Sequence, residues 1–257
     1  MMKKLSNRKD ILYLLIILTV LIAAWSLLSA SSSINAKYIP SPLKVLESFG
    51  QEIRNGRLFN DIIASLFRVS SGYLLGVVTA IPVGLLLGHY TLWQKAAMPF
   101  VNFFRNLSPL TWIPFAILWF GIGDISVIFL ILITVFFPLV LATTAAVANI
   151  SKIYFRVAED LRFTPFQTLT QVTFPAILPE LVTALRVTAG ISWLVVVAAE
   201  MIAGSDGLGY AVWDARNGLR IDLLIVEMIV IGILGIIIDR VLTLLSKNPR
   251  ISWVYEK

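Results

Sequence analysis

Seven ionisable side chains fall inside long apolar runs of this chain: Arg68, Arg105, Arg186, Glu200, Glu227, Asp239 and Arg240. A charge in hydrocarbon is costly, so each must face protein or water, pair with an opposite charge, or meet a transported ion. Arg105 offers the most chemistry. Asn106, Ser108, Pro109, Thr111 and Trp112 follow it, a set of hydrogen-bond donors at a helix-breaking proline that could receive an oxyanion at mid-membrane depth. A carboxylate is a poor ligand for an anion, so Glu200 reads as a structural or gating group beside that pathway, able to hold two helices by pairing with an arginine. The candidate substrate pathway is therefore Arg105, Ser108, Thr111 and Trp112, with Glu200. Arg68, Arg186, Asp239 and Arg240 lie near predicted helix ends and are expected to snorkel to the interface.

Other chemistry has little to work with. The chain has no cysteine and one histidine, His89, which removes disulfides, thiolate metal sites and Cys-His nucleophiles. No Gly-x-x-x-x-Gly-Lys-Ser/Thr run occurs, so nucleotide hydrolysis would belong to another chain. No catalytic residue, metal ligand or bound cofactor is expected.

These residues need a frame, and composition names it. With 58% hydrophobic and 14% charged residues, the chain cannot cover a soluble domain with polar surface. It reads as an all-α membrane protein with six transmembrane helices, near Ile11–Ala30, Val69–His89, Met98–Gly121, Ile125–Ala148, Leu181–Ala203 and Leu223–Leu245. The first run exceeds a signal-peptide core, and Ser29-Ala30-Ser31 is a weak cleavage signal, so it is expected to be retained. Arg105 and Pro109 interrupt the third run. Gly72-x-x-x-Gly76 and Gly84-x-x-x-Gly88 permit close helix approach in the second.

An amino terminus inside the cell puts Lys3, Lys4, Arg8, Lys9, Lys95, Lys152, Arg156, Arg162, Lys247, Arg250 and Lys257 in the cytoplasm. Lys37, Lys44, Arg54, Arg57, Arg216 and Arg220 are then outside, eleven cations against six, and both termini are expected inside. Outside lie an amphipathic stretch over Ser41 to Asn60 and a glycine-punctuated loop from Gly204 to Arg220 with Trp213; each suits either a protein contact or an interfacial anchor.

Residues 156 to 190 form a polar, helix-patterned segment between two apolar runs. Ile153, Tyr154, Val157, Ala158 and Leu161 recur at helical spacing. Thr164-Pro165-Phe166-Gln167 then supplies an N-cap, a proline at the first helical position and a glutamine placed to close a capping box. One short helix should end, and another begin, near Phe163. Pro175 and Pro179 are expected to break or kink the second. Physically, such a segment serves either as a docking surface or as an amphipathic element lying on lipid.

The hairpin resembles the cytoplasmic coupling loop of ABC-importer permeases, in which a Glu-Ala-Ala motif leads to a glycine and then to an apolar-Pro-x-x-x-Pro step. Tyr38-Ile-Pro-Ser-Pro-Leu-Lys-Val-Leu46, Ser65-Leu-Phe-Arg-Val69, Pro109-Leu-Thr-Trp-Ile-Pro-Phe115, Trp119-Phe-Gly-Ile-Gly123 and Gly207-Leu-Gly-Tyr-Ala-Val-Trp-Asp-Ala-Arg-Asn217 are similar to the permeases of nitrate, sulfonate, taurine and bicarbonate importers, over roughly Tyr38 to Leu245. The resemblance implies a type I ABC importer (MetI-like) permease fold in the inner membrane. It implies a homodimer, two ATPase subunits that use ATP and Mg, an external substrate-binding protein, and a small anion as cargo; no nucleic-acid partner is implied. Counting back from Pro175, the family's usual glutamate falls on Arg156 and its usual glycine on Arg162, with Val157 and Ala158 in the two alanine positions. The family's nitrate and bicarbonate branch has a Val-Ala-x-x-Leu-Arg form to which this stretch is similar.

The ATPase-coupling residues implied are Arg156, Val157, Ala158, Leu161, Arg162, Phe163, Thr164 and Phe166. The expected division is an N-terminal helix with an external amphipathic segment (1–58), a permease core of five helices (59–246) with its coupling hairpin at about 152–178, and a cytoplasmic tail (247–257). An ion-coupled secondary carrier or channel would also explain six helices and buried charge, but would not need the capped hairpin. A membrane enzyme would need a catalytic constellation that the sequence does not display.

Overall fold

A computed structural model describes residues 8–30 and 39–246. Among these residues every regular element is helical. Four helices are long and apolar enough to cross a bilayer: Arg57–His89, Asp124–Ala148, Pro165–Ala203 and Ile221–Leu244. Leu15–Ala30 and Pro109–Phe120 are shorter apolar helices. The described chain falls into two compact units.

The first unit takes residues up to Asn60 together with Ala211–Val230. It holds α1 (Arg8–Ala30) and α2 (Pro42–Asn55). Helix α2 starts where Ser41 accepts a hydrogen bond from Lys44 N–H, has Pro42 in its first turn, and stops at Gly56 in a left-handed conformation with φ 73°. Its buried face is Val45, Ser48 and Glu52, and Ser48 Oγ donates to Asp222 Oδ2 at 2.6 Å. Leu43, Leu46, Phe49 and Ile53 line the opposite, exposed face. Trp25 Nε1 donates to Pro40 O at 3.1 Å, tying the end of α1 to the start of α2.

The second unit spans Asp61–Tyr210 and continues from Ile231. Helix α3 (Arg57–His89) begins well before the Val69 expected from hydropathy. A hydropathy window undervalues this stretch because Asp61, Ser65 and Arg68 are polar yet buried. Helix α4 (Thr91–Asn106) ends at an extended Leu107–Ser108 link; a single 3-10 turn (Pro109–Trp112) then leads into α5 (Ile113–Phe120). The expected third span is thus two helices and a turn. Proline lacks an N–H and pushes its predecessor out of the helical region, and Ser108 has ψ 132°.

The centre of the unit is α6 (Asp124–Ala148), with Val127, Leu130, Ile131, Val135, Leu139 and Val140 withdrawn from solvent. Gly72, Gly76, Ala80, Gly84 and Gly88 form a stripe of small residues every fourth position of α3. A Cβ added at Gly72, Gly76 or Gly84 would stand 2.6–2.7 Å from the Cβ of Ile131, Val135 or Thr143, and one at Gly88 would run into Val147. The expectation of close approach at these glycines is met.

After α6 come α7 (Lys152–Asp160), the short α8 (Pro165–Thr168), a π-helical turn (Leu169–Thr173) and α9 (Phe174–Ala203). Pro175 and Pro179 do not break the helix, for Pro165–Ala203 is helical through 39 residues; the irregularity expected near them takes the form of a π-helical turn just ahead of Pro175. The π-turn accounts for this. Phe174 N–H reaches back to Leu169 O, and the widened turn leads into Pro175, which has no N–H of its own to place. Helices α10 (Leu208–Asn217) and α11 (Ile221–Ser246) complete the described chain.

Candidate functional site

Three places hold the chain's candidate functional side chains. The first is the hairpin. Helix α7 opens with Ser151 as N-cap and closes in a Schellman motif: Phe163 N–H donates to Ala158 O and Arg162 N–H to Glu159 O, both at 2.9 Å. Arg162, at the position of the family's usual glycine, has φ 55°. The backbone shape that favours glycine is thus retained although the residue is arginine. Thr164 and Gln167 form the predicted capping box, with Thr164 N–H donating to Gln167 Oε1 at 2.8 Å and Gln167 N–H to Thr164 Oγ1 at 3.3 Å.

Of the proposed coupling residues, Arg156, Val157, Leu161, Arg162, Thr164 and Phe166 are exposed, Phe163 is partly buried and Ala158 is buried. Ile153, Tyr154, Val157, Leu161 and Phe166 thus give the hairpin an uncovered apolar surface. His89, noted in the sequence only for the chemistry it excludes, anchors this hairpin. Its Nδ1 lies 2.9 Å from Leu85 O, its Nε2 lies 3.1 Å from Thr173 Oγ1 in the π-turn, and its ring meets Phe155 of α7 edge-on at 5.9 Å. A cavity of about 540 Å³ lies alongside, lined by Asn149, Tyr154, Gln171, Pro175 and Glu180 among others.

The second place is the break between α4 and α5. Arg105, Ser108 and Thr111 are exposed, and Arg105 makes no hydrogen bond or ion pair among the described residues. Trp112 is partly buried; its Nε1 is shut off from solvent with no hydrogen-bond partner among the described residues. Phe104, the neighbour of Arg105, stacks on Phe137 with ring centroids 5.3 Å apart, and a run of aromatics continues through Phe115, Trp119 and Phe129. This surface presents exposed cationic and hydroxyl donors against an aromatic wall.

Glu200 does not join that group. It belongs to the third place, a buried ionic node: the expected pairing of Glu200 with an arginine is found, but the sequence did not reveal that Arg68 is the partner or that Asp124 and Asp206 join it. Arg68 is not a snorkelling residue: its side chain is 1% exposed. Its Nη1 donates to Glu200 Oε1 at 3.0 Å and to Asp206 O at 2.7 Å, its Nε to Asp124 Oδ1 at 2.7 Å, and its Nη2 pairs with Asp206 Oδ1. Helix α3 cannot carry this arginine outward because three carboxylates hold it inside.

The same node receives the first backbone N–H groups of α10. Gly207 N–H donates to Asp61 Oδ1, Leu208 N–H to Ser65 Oγ and Gly209 N–H to Glu200 Oε2, each at 2.9 Å; Ser65 Oγ in turn donates to Glu200 Oε2 at 2.8 Å. These otherwise orphan donors are met by buried acceptors from α3 and α9. Gly207 is required here. Its φ is 97°, and a Cβ would stand 2.6 Å from Glu200 Oε1 and 2.8 Å from Arg68 Nη1. Asp61, Ser65 and Arg68 fall on one face of α3 at spacings of four and three, the signal that was available in the sequence. Elsewhere, Arg186 pairs with Asp239 at 3.0 Å on the surface and Arg240 is exposed, while Glu227 is buried.

With this geometry in view, comparison with known proteins is direct. Residues 72–251 match the family model described as binding-protein-dependent transport system inner membrane component. A probable ABC transporter permease protein of Brucella melitensis biotype 1 is 38% identical over 221 residues, covering 86% of this chain and 89% of that protein. The nitrate import permease protein NrtB of Synechocystis sp. is 34% identical over 238 residues, covering 89% of this chain and 86% of that one. Among solved structures, the inward-facing MetNI methionine ABC transporter matches with a TM-score of 0.62 at 21% identity, over 72% of this chain and 94% of that chain, which establishes the MetI-like fold. The chain therefore belongs to the family of binding-protein-dependent transport system inner membrane components and is a multi-pass ABC-importer permease.

Proposed function

We propose that this chain lines the translocation pathway of an ATP-driven importer for a small anion of the nitrate, sulfonate, taurine or bicarbonate type. Two copies would pair and bind two ATPase subunits through the hairpin at 153–174, with both termini in the cytoplasm. An external binding protein would deliver the anion. ATP and Mg belong to the ATPase partner, and this chain supplies motion and path.

The observation that carries the reading is the hairpin. Two caps fix its turn, its apolar residues are left uncovered, and a single helix of 39 residues joins it to the node at Glu200. An apolar surface held this firmly gains by desolvation against a partner. Anionic cargo is supported by Arg105, unpaired among the described residues at a helix break with Ser108 and Thr111 beside it, and by the relative named as a nitrate import permease.

The test is reconstitution of permease, ATPase and binding protein in vesicles, with uptake followed for nitrate, bicarbonate, taurine and alkanesulfonates. Uptake of one of these that requires both ATP and the binding protein is expected. In parallel, changing Phe163 and Phe166 together to Asp should abolish ATPase co-purification while the protein stays in the membrane, because charge would have to be desolvated at the contact. Full recovery of the complex from that double mutant would overturn the docking role.

A further inference from the structure

We propose that Arg68 is a positioning residue for transport: it locks the Gly204–Gly209 turn onto the end of α9, so that contact made on this turn outside the membrane is delivered along one helix to the coupling hairpin. The inference rests on the importer reading above and adds a route through named residues.

Three observations support it. The turn is fastened to the helix end rather than tethered beside it: Arg68 binds Glu200 on α9 and both the side chain and the backbone oxygen of Asp206 in the turn. Glu200, wholly buried, takes Gly209 N–H from the far side of the same turn. Movement of the turn therefore has to move the end of α9 or break charge-assisted bonds, of which those to Glu200 are buried.

The helix so gripped is continuous. From Pro165 to Ala203 it covers 39 residues, about 58 Å at roughly 1.5 Å per residue. Its other end begins at the Thr164 cap, the turn of the hairpin. The π-turn at Leu169–Thr173 is held to α3 through His89, which gives the rod a second fixed point next to its cytoplasmic end. A helix clamped near each end gives displacement a path with no loop in it, its bendable points at the π-turn, Pro175 and Pro179 lying at the end that His89 holds.

The third observation is the exposure of the tip. Ser205 and Asp206 are exposed while Gly204, Gly207, Leu208 and Gly209 are buried. A partner reaching the turn meets Asp206, the residue that Arg68 holds most completely.

The whole complex in vesicles tests this, by basal ATPase rate and by the rate with substrate-loaded binding protein. Arg68→Lys keeps the charge and loses the fork that spans three carboxylates. Gly207→Ala disturbs the node from the side of the turn alone. Both variants should co-purify with the ATPase and hydrolyse ATP at a basal rate within about two-fold of wild type. Stimulation by loaded binding protein should fall about ten-fold or more, and uptake with it. Wild-type stimulation in both variants would overturn the proposal. Loss of ATPase co-purification in both would also overturn it, because the node would then be a folding element only. A wild-type complex that shows no stimulation at all would instead fail the importer reading itself.

Discussion

Arg68 Nη1 lies 3.0 Å from Glu200 Oε1, and both side chains are buried, 132 positions apart in the chain. Each is the other's counter-charge. Glu200→Ala should leave Arg68 with fewer partners and Gly209 N–H with none on that side. The expected loss is about 3–5 kcal/mol, the usual result of removing one partner of a buried pair. Thermal unfolding in detergent measures it, and Glu200→Gln should recover only part of it, because its one amide oxygen replaces one of two accepting oxygens and its NH2 then faces a donor, Arg68 or Gly209.

Arg162 predicts the opposite sign. A non-glycine residue in the left-handed region costs about 1–2 kcal/mol, while glycine adds about 0.5–1 kcal/mol of chain entropy to be lost on folding. Arg162→Gly should therefore steady the hairpin by about 0.5–1 kcal/mol and slow proteolysis at 158–167. Arg162→Val, β-branched at φ 55°, should accelerate the same cleavage.

Helix packing can be tested at Gly84, where an added Cβ would stand 2.6 Å from Thr143 Cβ. Gly84→Val should force α3 and α6 apart at a cost of about 1–3 kcal/mol or more. Gly50→Ala, in α2 with nothing within 4 Å of its added Cβ, should instead stabilise by about 0.5–1 kcal/mol. Melting curves of the two variants should move in opposite directions.

At the helix break, Arg105→Gln keeps a hydrogen-bonding side chain and removes its charge. One charged hydrogen bond in a dry cavity is worth roughly 1.5–3 kcal/mol, about one to two decades of affinity. Uptake should fall by that factor while ATPase co-purification stays normal. Unchanged uptake would assign Arg105 to interfacial anchoring.

What could be read from the chain depended on distance along it. The Thr164–Gln167 box, the turn near Phe163 and the break at Pro109 are set by residues one to four apart, and each is found where local rules put it. The glycine stripe of α3 was legible by the same logic, since its message is a small surface rather than a particular neighbour. The node was not. Arg68 meets Asp124, Glu200 and Asp206 at separations of 56, 132 and 138, and hydropathy counts each of these as a separate penalty and cannot see that they cancel. The same blindness shortened α3 by discounting Asp61, Ser65 and Arg68, and led Arg68 to be assigned to the interface. The single histidine was overlooked because its partners, Thr173 and Phe155, carry no charge to draw attention.

The small-residue ladder from Gly72 to Gly88 has a mechanical consequence. Ile131, Val135, Thr143 and Val147 seat in notches four residues apart, with almost no side chain between the two backbones. Sliding α3 along α6 by one residue would drive a methyl group into a main chain, so the nearest alternative seat is a full notch away, about 6 Å along the axis. The pair is therefore locked in register: a small slip along the axis is blocked, and only a jump of a whole notch would restore the fit.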